Sequence, residues 1–370
     1  MLSIRKTISF RQNRLSLAIT FVCLLYVLGM IAINLYSDTH STHKRIYVTE
    51  LPDLQIQLHS TTTTAAAAAT TTAAASVSSS ASSNLSSFDK SFCPVNGEKL
   101  VGSLRVDINK MVQEAANIDN LSIKNGGKVH LGGWWRPEHC KPKYKVAFLL
   151  PYRNRELQLK MFLYHMTPIL QRQLLEYRMF VIEQTGKTAF NKGAIYNIGF
   201  NSTLQFGEFD CYIFHDVDLL LENDKNYHGC AASPVHLAPA VNTLNYRLFA
   251  PGHFGGIELF TREHYEKING FTNMFWGWGA EDDDLYLRVD AKGLKIIRPP
   301  LEFGRYTMNQ QKHFRSDPYN DKNARLVRKA KTRQANMDND GLRQISKLSF
   351  TQTVEEMPLF TKISIDLRHS

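Results

Sequence analysis

Hydrophobic positions change pattern three times along the 370 residues. From Leu15 to Tyr36 the chain (LSLAITFVCLLYVLGMIAINLY) carries no charge. That is about the ~20 residues needed to cross a bilayer core. From Ser37 to Phe88 large apolar side chains are sparse, and the tract TTTTAAAAATTTAAASVSSSASS intervenes. Such a composition cannot bury enough surface to offset chain entropy, so it predicts a flexible stalk. From Cys93 onward short apolar runs alternate with helical spacing. Tyr144–Pro151 predicts a buried strand, Leu157–Tyr177 a helix, Tyr177–Glu183 a second strand, Lys192–Leu204 a second helix and Cys211–Phe214 a third strand. Alternating strands and helices predict an α/β fold with a mostly parallel, Rossmann-like sheet. In such sheets ligands bind beyond the carboxyl ends of the strands. Tyr152-Arg153-Asn154-Arg155 and Asp216-Val217-Asp218 both stand at such ends.

Charge refines this picture. Part of the net charge of +10 sits at Arg5, Lys6, Arg11 and Arg14 near one end and part in the run Arg325 to Arg333 near the other. Cations ahead of the apolar segment keep the N-terminus cytosolic. A cleaved signal peptide would have a shorter apolar stretch and a small-residue cleavage site, which Gly29 to Ala32 supplies poorly. The expected organisation is therefore a cytosolic tail (1–14), a transmembrane signal anchor (15–36), a stem (37–92) and a luminal domain (93–370). No zinc-finger spacing or aromatic RNA-binding signature accompanies the basic runs, so nucleic acid is excluded as a partner. Of the five cysteines, Cys23 lies in the apolar segment. Cys93, Cys140, Cys211 and Cys230 form an even set, which in an oxidising lumen predicts two disulfides with three connectivities open. Asn84, Asn120 and Asn201 head N-glycosylation sequons.

Two acidic motifs carry candidate chemistry. Asp216-Val217-Asp218 places hard oxygen ligands at a strand end, suited to Mg²⁺ or Mn²⁺ bridging a diphosphate. Taken alone, such a pair more often marks a solvated turn. Trp276-Gly277-Trp278-Gly279-Ala280-Glu281-Asp282-Asp283-Asp284 is more specific. Exposed tryptophans flanked by glycines suit a hinged loop over a sugar ring. Four adjacent carboxylates repel one another, and one of them can serve as a general base. The same acids also suit a helix N-terminus, and the two readings are compatible. Tyr152, Arg153 and Arg155 can stack a base and hold phosphate, or form an ordinary surface turn. His253-Phe254-Gly255-Gly256 offers a tight backbone near a ligand or a plain hairpin turn. By pattern alone Met308 reads as core.

In order along the chain, PYRNR (151–155), FNKGAIYNIGF (190–200), DVDL (216–219), FGG (254–256), NGF (269–271), WGWGAEDDD (276–284) and GRYTM (304–308) resemble the animal β-1,4-galactosyltransferase family and its β-1,4-N-acetylgalactosaminyltransferase relatives. The likeness runs from about Cys93 to Leu367. It implies a GT-A fold and an inverting, Mn²⁺-dependent transfer of GalNAc or Gal from UDP-GalNAc or UDP-Gal to the 4-hydroxyl of a terminal β-GlcNAc. It further implies Asp218 and Met308 as metal ligands, and Pro151, Tyr152, Arg153, Arg155 and Phe190 around the nucleotide. Asp216, Val217, His253, Gly256 and Gly279 also touch substrate in this scheme. Trp278 becomes the mobile-loop tryptophan, Asp282 the base, Asp283 an acceptor contact and Glu281 its support. The implied disulfides are Cys93–Cys140 and Cys211–Cys230, and the implied setting is the Golgi membrane with the catalytic domain luminal. A helper protein is a further possible partner.

Three positions depart from the family pattern. The family's third metal ligand is a His three residues after the Met. Here that place is Gln311, and a short insertion brings His313 forward for the role. His253 stands where galactosyl members carry a Tyr that narrows the donor pocket, which leans towards GalNAc. Ala280 replaces a Gly. The competing reading is a catalytically weak homologue that binds sugars or a partner protein.

Overall fold

The computed structural model describes residues 45–47, 91–95, 99–115, 129–309, 319–330 and 337–369. The anchor expected over 15–36, the sequons at Asn84 and Asn120, and Gln311 and His313 lie outside the described residues. Among those described, no helix is long and apolar enough to cross a membrane. The strands are β1 (Arg45–Tyr47), β2 (Trp134–Trp135), β3 (Lys145–Tyr152), β4 (Glu176–Gln184), β5 (Cys211–His215), β6 (Leu219–Leu221), β7 (Val235–His236), β8 (Ala240–Val241), β9 (Ile257–Thr261), β10 (Arg305–Met308), β11 (Phe350–Glu356) and β12 (Thr361–Leu367). The helices are α1 (Ile108–Ala115), α2 (Glu156–Arg172), α3 (Lys192–Thr203), α4 (Arg262–Lys267), α5 (Glu281–Ala291) and α6 (Asn320–Ala330).

The main sheet runs β1-β11-β12-β4-β3-β5-β9-β7, with β2 added to β4. Its centre, β12-β4-β3-β5, is parallel. Its flanks are antiparallel. The expectation of a mostly parallel sheet is thus corrected to a mixed one. Strand–helix–strand units build only the middle, and short or hairpin connections such as β11 to β12 require antiparallel pairing. A second, three-stranded sheet (β6-β10-β8) stands beside it. Strand β1, within the tract expected as a stem, pairs with Thr353, Val354 and Glu355 on the open edge of β11.

The pleat of β3 explains the layering. Val146, Phe148 and Leu150 pack with Phe162, Leu163 and Met166 of α2, while Ala147 and Leu149 pack with Ala194, Ile195 and Ile198 of α3. Alternate side chains point to opposite faces, so an unbroken apolar run is what a strand covered on both sides requires. Each large aliphatic or aromatic side chain so buried contributes about 1.5–3 kcal/mol. The predicted helix Leu157–Tyr177 ends early, at Arg172. Leu174 turns the chain at φ +55°, and the Gln173 side chain donates to the carbonyls of Asp224 and Asn226 at 2.8 Å each. Leu175 and Tyr177 extended the apolar spacing because they face the same core from the next strand. Disulfides join Cys93 to Cys140 and Cys211 to Cys230, the pairing that the resemblance implied.

Candidate active site

The carboxyl ends of β3 and β5 form the first wall. At the end of β5, Asp218 is 5% exposed and accepts from Arg155 Nη1 at 3.0 Å. Asp216 points elsewhere, to Lys192 Nζ at 2.9 Å, while Val217 between them is buried. Gly256 carries the backbone past this turn at φ +89°, and a Cβ there would meet Leu219 at 2.9 Å. Pro151 is buried at the end of β3 and Tyr152 is half-buried beside Glu183. Burial and the neighbouring Glu183 raise the Tyr152 phenol above its usual range. Arg153 is engaged by the β4–α3 connection. It donates to the carbonyls of Gln184 (3.0 Å), Thr188 (2.8 Å) and Thr185 (3.4 Å), and its guanidinium lies 5.4 Å from the centre of the Phe190 ring. Its role in the fold is to fix the β4–α3 connection and to present Phe190.

The second wall is the N-terminus of α5. Helical geometry spreads its four acids about the axis, roughly 100° apart, so adjacent residues reach different partners. Asp284 is buried on Arg288, Nε to Oδ2 2.5 Å. Glu281 and Asp282 face Lys192 Nζ at 3.5 and 3.6 Å. Asp283 is exposed. The Asp282 carboxylate also packs on Gly255, where a Cβ would stand 2.2 Å from Oδ2, so only glycine fits there. Burial raises the pKa of both Glu281 and Asp282, and their mutual repulsion raises Glu281 further against the pull of Lys192.

Lys192 joins the two walls, and pattern reading missed it. Desolvation opposes its charge, but Asp216, Asp282 and Glu281 together hold the ammonium well above its ordinary pKa. One signal was visible in the sequence. A cation in the first turn of a helix opposes the helix dipole, and Lys192 directly follows Asn191, the N-cap that accepts from Ala194 N at 2.9 Å. A second missed residue is Asn323 of α6, 2% exposed. Its amide donates to the carbonyls of Trp276 (3.0 Å) and Gly279 (3.2 Å). Trp278, 52% exposed, stands on the loop so held. Gly279 at φ +91° has no atom within 4 Å of its Cβ position, leaving room for a ligand. His253 lies at the rim, 5.4 Å from the ring of His236 and 5.7 Å from Phe249. Its carbonyl accepts from Arg298 at 2.9 Å.

The metal set is partly visible. β10 pairs antiparallel with β6, so Met308 faces Leu219, and Asn309 N donates to Asp218 O at 2.8 Å. Register therefore brings the Met308 and Asp218 segments together. Among the described residues, no three His, Cys, Asp or Glu side chains form a complete metal set. Asp218 and Met308 nevertheless fit two places of a divalent-ion site. The guanidinium of Arg155 shows that the Asp218 carboxylate takes a cation. Asn201 is half-buried on α3, and its sequon partner Thr203 is fully buried, donating to the Phe200 carbonyl at 2.7 Å.

Comparisons with known proteins agree on this architecture. The N-terminal region of glycosyl transferase group 7 matches residues 93–231, and the N-terminal domain of galactosyltransferase matches residues 235–313. Over 275 residues the chain is 39% identical to β-1,4-galactosyltransferase 5 of Danio rerio, covering 74% of this chain and 70% of that protein. It is 40% identical to β-1,4-galactosyltransferase 6 of Rattus norvegicus, covering 74% and 69%. The catalytic domain of Drosophila β-1,4-galactosyltransferase 7 superposes with a TM-score of 0.52 at 29% identity, covering 61% of this chain and 95% of that one. That enzyme has been solved as a variant with manganese, UDP-Gal and xylobiose. Fold and site together define a glycosyltransferase with a GT-A-like α/β domain. The chain belongs to the β-1,4-galactosyltransferase family.

Proposed function

We propose that this chain is an inverting, Mn²⁺-dependent transferase that moves GalNAc or Gal from a UDP-sugar to the 4-hydroxyl of a terminal β-GlcNAc on a glycoprotein or glycolipid. The observation that carries this reading is the junction at Lys192. It ties the strand end bearing Asp216 and Asp218 to the helix bearing Glu281 and Asp282, bringing a donor site and a base to one cleft. The Drosophila relative's complex with manganese, UDP-Gal and a disaccharide supports the same division of labour.

In this scheme Tyr152, Phe190 and Arg155 line the nucleotide side, and Trp278 closes over the sugars. Asp282 takes the proton of the acceptor hydroxyl as its oxygen forms the new bond to the anomeric carbon. The bond from that carbon to UDP breaks on the opposite face. Asp283 holds the acceptor and Glu281 supports Asp282. Asp218 and Met308, together with His313, would hold a divalent cation, which would supply positive charge against the leaving UDP. Loop closure excludes the water that would otherwise hydrolyse the donor. At the donor rim His253 leaves out a phenol, which favours the bulkier GalNAc. The apolar segment 15–36 anchors the chain in the Golgi membrane with residues 93–370 in the lumen.

The full chain in detergent, given Mn²⁺, a GlcNAc acceptor and either UDP-GalNAc or UDP-Gal, tests this directly. Expected is a β-1,4-linked product, formed faster from UDP-GalNAc. Absence of product from both donors, together with no Mn²⁺-dependent binding of UDP, overturns the proposal.

A further inference from the structure

Glu258 is a buried acid that the reaction just described does not use. It lies on β9 in an otherwise apolar run, is 0% exposed, and neither carboxyl oxygen has a hydrogen-bond partner. Register places it opposite Phe214 of β5 and His236 of β7. Directly opposed residues share a sheet face, and Phe214 packs against Tyr196 of α3 with ring centres 5.0 Å apart. Glu258 therefore faces α3. There Lys192 and Tyr196 lie one helical turn apart on the same side, and the Tyr196 hydroxyl is also buried without a partner.

The groups that face Glu258 leave it one arrangement. From α3 come Lys192 and Tyr196, from the end of β5 Asp216, from α5 Glu281 and Asp282, from β7 His236 and from α4 Tyr265. Burial keeps His236 neutral by pushing its pKa down to about 3. Lys192 is thus the one cation in this set, and it is already shared among three carboxylates. Those three retain some solvent contact, with side-chain exposures of 30%, 12% and 29% for Asp216, Glu281 and Asp282. Glu258 has none. Charge on a group without solvent or hydrogen bonds is the most costly to keep.

We propose that Glu258 is a positioning residue, carried as a neutral carboxylic acid beneath Lys192 so that the ammonium stays with the strand-end acid and the base. Ionised, it would draw Lys192 back into the sheet and away from Asp282. Burial also holds its pKa well above the carboxylate range, with Asp282, Asp216 and Glu281 adding to the shift and Lys192 opposing it. This inference rests on the proposed function only for its kinetic consequence.

The test compares wild type with Glu258→Gln in the full chain, from about pH 5 to about pH 8. In the unfolded chain Glu258 ionises near its ordinary value of about 4.3, whereas the native state keeps the proton. The native state then binds more protons, so wild-type stability falls as pH rises, while the amide has no proton to lose. Expected is a thermal midpoint for Glu258→Gln that climbs relative to wild type as pH increases, and an infrared band of a protonated carboxyl group present in wild type at neutral pH and lost in the variant. A constant midpoint difference, or no such band, overturns the proposal. Should the amide fail to fold, Glu258→Leu carries the same comparison. In the transfer assay the alkaline fall of kcat should move up by about one pH unit or more in the variant, and superimposed profiles overturn the positioning role. A protein inactive with every donor would sink the functional reading while leaving the melting comparison to decide this one.

Discussion

Two buried charge clusters meet on α5 and differ in stoichiometry. Arg288, 3% exposed, holds Asp284 at 2.5 Å and reaches the carbonyl and carboxylate of Asp340 at 2.9 and 3.5 Å. The oxygens of Asp340 take further donors from Thr272 Oγ1 and Asn273 N. At Lys192 a single ammonium serves Asp216, Glu281 and Asp282, with unpartnered Glu258 behind them. The first cluster is saturated and acts as scaffold, fixing α5 to the turn at Asn269 and Gly270. The second is short of cations, which is the condition for binding a cation, taking up a proton or both.

Asp282→Asn should produce the largest separation between the clusters, lowering kcat by about 10²–10⁴-fold while UDP binding by calorimetry persists; wild-type turnover would remove Asp282 from the base role. Arg288→Met should show the converse. Breaking a buried pair leaves charge uncompensated, so denaturant unfolding should register a loss of about 3–5 kcal/mol. If that variant stays as stable as wild type, the saturated cluster is not scaffold.

Acidity should distinguish them as well. Burial raises the Asp282 carboxyl, so kcat should fall as pH drops through a value above the ordinary carboxylate range near ~4. An acid limb lying within that ordinary range would contradict the enclosed site. His253→Tyr should move the donor ratio towards UDP-Gal by about tenfold, read by competing the two donors in one assay. An unchanged ratio means that another residue selects the sugar.

The smallest effect belongs to Ala280. It caps α5 at φ +82°, where a Cβ is strained, and Ala280→Gly should raise stability by about 0.5–1 kcal/mol in thermal melts. The family's glycine at this place thus acquires a physical reason. A destabilised variant would show that the unfolded-state entropy of glycine wins instead.

Much of this was legible in the residues themselves. Strands β3, β4 and β5 and helices α2 and α3 declared themselves by apolar period, because each packs one or both faces on a core that tolerates little else. The antiparallel flank at β9 and β7 was not legible, since both strands are short and their pairing depends on long excursions of chain. Nor did spacing announce that Arg153, read as a nucleotide contact from its place after a strand, also ties down the β4–α3 connection through three carbonyls and an aromatic face.

From order and spacing alone the chain determined an α/β core, an acidic pair at a strand end and a tryptophan–acid loop opening a helix, because these depend on local periodicity and on motif. Only the tertiary structure decided which acids face which cations. That assignment needs helix rotation, strand register and burial together, and a carboxylate such as Glu258 looks like any other until the sheet encloses it.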